Sequence, residues 1–266
     1  MSRSLMNRRQ VLARTAAAAG GLALAGPASG LLGTTAAAAA MPRVYTRAEW
    51  GARPPDFAAR IINKPDHLVV HHTASDNVTD FSLNQAFRLS RWIQDLHQLT
   101  NGWGDTGNQL TISRGGFIME GRNRSLEAIG QGQNVLGAQT ANNNSHTLGI
   151  ENEGIYVSAR PTQWLWDSLV ETLAWLCDVY DLDPHQAIVG HRDYVATQCP
   201  GDVFYAMLPD LRDDVAGRLL GSRRTGRAEP DGRTAPKASP AGSARPGPAA
   251  RRLDHGPALG PGETLR

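Results

Sequence analysis

His67-Leu68-Val69-Val70-His71-His72-Thr73-Ala74 is the stretch that decides how the rest of the chain is read. Three large aliphatic residues in a row, two of them β-branched, form an apolar run of strand length between polar flanks. A strand apolar on both faces is covered on both faces, the pattern of a parallel or mixed sheet inside an α/β domain. The reading is a buried strand over 67–73, with a histidine pair at its end.

Working outward, Ser82 and Gln85 form a capping-box pattern, and Ala86, Leu89, Ile93 and Leu96 follow at helical spacing, so a helix is expected over 82–99. The turn-rich NGWGDTGN (101–108) comes next. QLTISRGGFIMEG (109–121) then reads as a hairpin turning at Gly115-Gly116. HTLGIENEG (146–154) is a further strand. Pro161 and Thr162 open a helix to about 181, with Leu165, Leu169, Leu173, Leu176 and Tyr180 along one stripe. AIVGH (187–191) is a short strand, and a last helix covers about 202–219. Strands interleaved with helices make this an α/β chain, with one sheet and helices on both faces.

Charge and composition separate this body from the ends. Residues 1–40 carry four Arg and no acid, and residues 222–266 carry nine Lys or Arg and four acids; that leaves 14 basic and 21 acidic side chains in 41–221. An acidic body argues against a nucleic-acid partner, which requires clustered Lys and Arg. Arg8-Arg9, a following run rich in Ala, Gly and Leu, and Ala38-Ala39-Ala40 read as an export signal over 1–40 of the twin-arginine type. With no later run of membrane-span length, the mature chain is expected to be extracytoplasmic, without stable membrane insertion, and a monomer. Residues 222–266 hold 22 Ala, Gly or Pro among 45 and almost no large apolar side chain, so a disordered tail is expected there.

Chemistry concentrates in three places: His71-His72 ends one buried strand, His191 ends another, and Cys199 follows eight residues later. A catalytic zinc site keeps three protein ligands of this kind and an open position. Residues 71 and 72 point to opposite faces of a strand, so the residues alone do not choose between them. His97, His146, His185 and His255 sit on a helix, in loops or in the tail, and read as surface or structural histidines. Cys177, within the apolar helix, reads as an inert buried thiol.

EWGAR (49–53), VVHHTA (69–74) and GHRDYVATQCPG (190–201) together resemble the zinc-dependent N-acetylmuramoyl-L-alanine amidase type 2 family, which includes peptidoglycan recognition proteins. The resemblance covers about 45–218 and implies an α/β fold, a single domain with a central mixed β-sheet flanked by helices. It implies Zn²⁺ held by His71, His191 and Cys199, with His72 packed or supporting, and a peptidoglycan or muropeptide substrate cut between N-acetylmuramic acid and L-alanine. Members that bind peptidoglycan without cutting it typically lack the cysteine, so Cys199 favours an enzyme over a recognition module. One departure stands out: many of these amidases place a tyrosine where DTGNQLTI (105–112) has Asn108. Asn cannot transfer a proton at neutral pH. GIENEG (149–154) resembles the strand of the cell-wall recycling amidases whose first Glu is the catalytic base. That implies Glu151, with Glu153 as the alternative if the register slips by two. Thr197, two before the cysteine, matches the position where relatives place a residue near the substrate carbonyl. Trp103 and Arg114 are further candidates for substrate contact, and Trp103 reads equally well as a packing residue.

Overall fold

The computed structural model describes residues 39–225 and 257–265. All but the last two residues of the expected export signal fall outside these. The described chain is built on a six-stranded sheet in the order β1-β5-β4-β7-β3-β8. Its strands are β1 (Val44–Tyr45), β3 (His67–His72), β4 (Leu110–Ile112), β5 (Ile118–Glu120), β7 (Thr147–Asn152) and β8 (Ile188–Gly190). Within this sheet β4 and β5 pair antiparallel, as the 109–121 hairpin requires, and β1–β5, β4–β7, β7–β3 and β3–β8 are parallel. Two two-residue strands, β2 (Ile61–Ile62) and β6 (Asn134–Val135), make a small separate ladder. The mixed sheet with flanking helices is the architecture expected from the sequence.

Strand alternation gives the sheet two unlike faces. Leu68, Val70, Leu110, Ile112, Leu148 and Ile150 all point one way and are fully buried. They pack on α4 (Gln163–Tyr180) and α7 (Leu208–Thr225) through Leu165, Leu169, Leu173, Leu211 and Val215. Each such side chain removed from water contributes about 1.5–3 kcal/mol, so this face holds the domain together. The opposite face carries His71, Thr111, Thr147 and Glu151. Beyond it, α2 (Leu83–Asp95), capped by Ser82, and α1 (Arg47–Trp50) cover Met119 with Ala86 and Trp50.

Several elements depart from the sequence reading. The helix expected over 82–99 is α-helical only to Asp95 and continues as a π-helical turn, Leu96–Thr100. The helix expected over 202–219 is two: α6 (Asp202–Ala206), then α7 after Met207. The helices α1, α3 (Ser125–Gly130) and α5 (Pro184–Ala187) are single turns or little more. The turn-rich 101–108 loop is pinned by Asp105, whose buried carboxylate accepts from Arg47, Gln94, and the backbone and side chain of Asn123.

The expected disordered tail over 222–266 is corrected at both ends. α7 runs on to Thr225. Residues 257–265 dock on the 140–144 turn: Ala141 N–H donates to Pro257 O at 3.0 Å, Asn144 Nδ2 to Ala258 O at 2.8 Å, and Asn142 N–H to the Glu263 carboxylate at 2.8 Å. The segment is poor in apolar side chains, as its composition says, but it is held by hydrogen bonds to two asparagines rather than by a core. The rest of that span lies outside the described residues.

Candidate metal centre

β3 lies between β7 and β8, so its end is buried on both sides. Val70 is in register with Gly190; His71 follows on β3, and His191, expected to end its strand, instead opens a 3-10 turn (His191–Asp193) directly after β8. Their rings come to 4.4 Å between centroids. The chain then folds back through a short turn. Gly190 N–H donates to Asp193 Oδ2 at 2.8 Å, Arg192 N–H to Cys199 O at 3.1 Å, and Cys199 N–H to Thr197 Oγ1 at 3.1 Å. These bonds set Cys199 beneath the two imidazoles. Ligand atoms of His71, His191 and Cys199 all lie within 4.8 Å of one another, and all three residues are completely buried.

The donor set fits zinc. Cys199 Sγ is 3.7 Å from His71 Nδ1, against ~3.6 Å between a thiolate and an imidazole nitrogen on one tetrahedral zinc. The backbone N–H of His72 points at Sγ from 3.3 Å and can support a thiolate. Burial and the nearby Glu151 carboxylate otherwise push the Cys199 thiol well above its ordinary range. The choice between the paired histidines, open in the sequence, is made by strand parity. His71 faces the trio, whereas His72 Nδ1 accepts from Tyr156 N–H at 3.3 Å on the other side.

Gln139, which sequence reading passed over, decides which nitrogen of His71 is offered. Its Nε2 donates to Thr147 Oγ1 at 2.6 Å, and that hydroxyl donates onward to Asn143 O at 2.7 Å. This fixes the amide, so Oε1 faces His71 Nε2 at 2.6 Å and must accept from it. The His71 hydrogen is thereby held on Nε2, and Nδ1 presents its lone pair toward Cys199. Gly149 makes room: a Cβ there would meet the Gln139 side chain at 2.8 Å.

Glu151 lies on β7 in register with His71 on β3 and Thr111 on β4. It shares the His71 face, on the neighbouring strand, and is 3% exposed. Burial raises its carboxyl well above the ordinary carboxylate range. Glu153, the alternative, is engaged elsewhere: it accepts from Gln85 Nε2 at 2.7 Å and from Arg114 N–H at 2.8 Å, tying α2 to the β4–β5 turn.

The remaining candidates take structural partners. Asn108 is buried, with Nδ2 donating to Leu110 O and Thr111 Oγ1 at the root of β4. Trp103 packs against His97, with ring centroids 4.6 Å apart and the planes tilted by 43°. The Arg114 guanidinium lies 5.8 Å from the Phe81 ring. Burial pushes the Cys177 thiol up to about 12, consistent with an inert group.

A family model described as Amidase_2, N-acetylmuramoyl-L-alanine amidase, matches residues 62–202, more than half of the chain, a span that includes His71, His191 and Cys199. The chain belongs to this amidase family. It is 34% identical over 204 residues to a human N-acetylmuramoyl-L-alanine amidase, across 73% of this chain and 33% of the human protein; it therefore spans about a third of that relative's length. It is 29% identical over 167 residues to peptidoglycan-recognition protein LB of Drosophila melanogaster, across 63% of this chain and 68% of that one. The solved wild-type Drosophila PGRP-LB aligns with a TM-score of 0.55 at 28% identity, covering 62% of this chain and 92% of that structure. A point mutant of the same protein, solved in complex with tracheal cytotoxin, aligns with a TM-score of 0.55 at 28% identity, covering 62% of this chain and 92% of that one. Among the described residues no helix is long and apolar enough to cross a membrane.

Proposed function

We propose that the chain is a zinc-dependent hydrolase of the amide between N-acetylmuramic acid and L-alanine in peptidoglycan. The observation that carries this reading is the buried His71, His191 and Cys199 trio with Glu151 on the adjoining strand. A site built only to grip a peptide has no need of three metal-ligating atoms beside a buried carboxylate. Zinc bound there would lower the pKa of water and polarise the scissile carbonyl.

The chain's own groups supply the rest. Gln139 holds His71 in the tautomer that offers Nδ1, and the His72 N–H supports the Cys199 sulfur. Glu151 accepts a proton from the attacking water and delivers it to the amide nitrogen as the C–N bond breaks. Thr197, whose Oγ1 already accepts from Cys199 N–H, turns its hydroxyl hydrogen toward the developing oxyanion.

We further infer a secreted bacterial enzyme acting as a monomer on peptidoglycan or muropeptides, exported folded through a twin-arginine signal over 1–40, with 41–221 as the catalytic domain. Folded export would allow zinc to reach Cys199 before the thiol meets an oxidising compartment. The second reading, a non-catalytic recognition module, is favoured by one observation: Asn108, where many amidases have a tyrosine, is turned into the β4 backbone and offers no proton. Digestion of purified sacculi followed by mass spectrometry separates the two. The enzyme releases peptides with free amino-terminal L-alanine, and the module releases none.

A further inference from the structure

A second group of metal-ligating side chains comes together away from the first centre: Asp66, His67 and His146, with ligand atoms all within 4.8 Å of one another. The backbone assembles it. His67 and Thr147 are in register at the starts of β3 and β7, and Asp66 N–H donates to His146 O at 2.9 Å. Asp66 Oδ1 lies 2.6 Å from His67 Nδ1 and 2.7 Å from His146 Nδ1. Tyr194 stands edge-on to both imidazoles, at 6.0 and 5.8 Å between centroids, and walls one side. The other side is open: the side chains of Asp66, His67 and His146 are 63%, 34% and 36% exposed.

Counting hydrogens at His146 shows what belongs in the middle. Asn143 Nδ2 donates to Ala141 O at 2.7 Å, so its Oδ1 is the atom 3.2 Å from His146 Nε2. That oxygen only accepts, so Nε2 carries the ring hydrogen. A neutral His146 then aims its Nδ1 lone pair at a carboxylate oxygen 2.7 Å away. Two lone pairs at that distance repel, and the contact is favourable only with a positive species between them. A proton serves by charging the imidazole. A divalent ion serves both Nδ1 atoms and the carboxylate at once when rotation of the exposed side chains opens the 2.6 and 2.7 Å separations to the ~3.3 Å between two ligands on one tetrahedral ion.

We propose that Asp66, His67 and His146 form a second divalent-cation site, taking Zn²⁺ or a similar imidazole-preferring ion. Two imidazole nitrogens and one carboxylate are a ligand set such ions accept, with water on the exposed side completing the shell. His67 and His71 lie on the same face of β3, four residues and ~13 Å apart, so the two sites hold separate ions. The exposed set binds more weakly than the buried one and clamps the starts of β3 and β7. The proposal does not depend on the amidase reading.

The test is a titration of metal-free protein with Zn²⁺ against a competing chelator. Wild type is expected to take up two equivalents. His146→Ala and Asp66→Asn should each lose the weaker equivalent and keep the tighter, whose retention also reports an intact fold. Cys199→Ser should lose the tighter and keep the weaker. Thermal unfolding gives a second readout: excess Zn²⁺ should raise the Tm of Cys199→Ser but not of the Cys199→Ser, His146→Ala double variant. A wild-type uptake that neither His146→Ala nor Asp66→Asn reduces, or a Zn²⁺ stabilisation of Cys199→Ser that survives His146→Ala, overturns the proposal.

Discussion

Gln139 lies across Gly149 and takes the Nε2 hydrogen of His71 at 2.6 Å, leaving Nδ1 to face Cys199. A ligand's outer hydrogen bond commonly sets its tautomer and basicity, and losing it costs about 10–100-fold in metal affinity. Gln139→Ala is expected to weaken the tight zinc by that factor with the fold intact. Gly149→Ala should do the same, because its Cβ occupies the space of the Gln139 side chain. Chelator competition reads both. Wild-type affinity in Gln139→Ala would show that the His71 tautomer is set without it.

Ligand assignment is tested by removing one donor at a time. Cys199→Ser should lose the tight zinc and the activity. His72→Ala should keep most of the metal, since its ring is turned to Tyr156. Metal loss in His72→Ala with retention in His71→Ala would reverse the assignment.

Glu151→Gln is expected to keep zinc and to lose about 10²–10⁴ in turnover, the usual contribution of a general base. Asn108→Ala should cost the rate far less. Glu153→Gln should act mainly on stability, because Glu153 ties Gln85 and the Arg114 backbone together. Equal rate losses in Glu151→Gln and Glu153→Gln would undo the distinction.

Glu151 also makes a pH-dependent prediction for the metal-free protein. Burial raises its folded-state pKa above the unfolded value. Such a group contributes stability below the unfolded pKa, and this is lost as pH rises through the raised folded value. Glu151→Gln cannot ionise and escapes that loss. Its metal-free Tm should exceed that of metal-free wild type at about pH 7, with the gap closing near about pH 4. A gap that is absent at neutral pH, or largest in acid, would contradict the burial of an ionisable carboxyl here.

How much of this was legible in the sequence depended on periodicity. β3, β7, α4 and the β4–β5 hairpin are long or regular enough for their apolar spacing to show. β1, β2 and β6 have two residues each, too few to carry a period, and only their pairing partners define them. The break at Met207 is marked by Pro209, which cannot continue a helix interior but suits the first turn of a new one; the expected single helix over 202–219 ran through it. The three candidate ligands stand out in the sequence because their motif blocks are distinctive. Gln139 sits in a loop, and its role arises from a contact with residue 71 over a residue without a side chain, a three-dimensional coincidence with no linear signature. Segment 257–265 was misread because low apolar content was taken to mean no packing, whereas Asn142 and Asn144 hold it through polar contacts.

That docking carries its own consequence. Asn144 is 1% exposed; its Oδ1 accepts from Gln139 N–H at 2.8 Å while its Nδ2 donates to Ala258 O. Deleting 257–266 removes this hydrogen bond and opens the donor to water, and should destabilise the domain by about 0.5–1.5 kcal/mol for each such bond lost. Thermal or urea unfolding of the truncated chain checks it, and an unchanged midpoint would mean the segment contributes nothing to stability.

The most direct measurement is the product of zinc-loaded protein acting on a defined disaccharide–peptide muropeptide, read by mass spectrometry. The account predicts two products, the intact disaccharide with a free lactyl carboxylate and the peptide with a free L-alanine amino group, and no such products from Cys199→Ser. Binding without cleavage, release of acetate, or a cut in the glycan would contradict it.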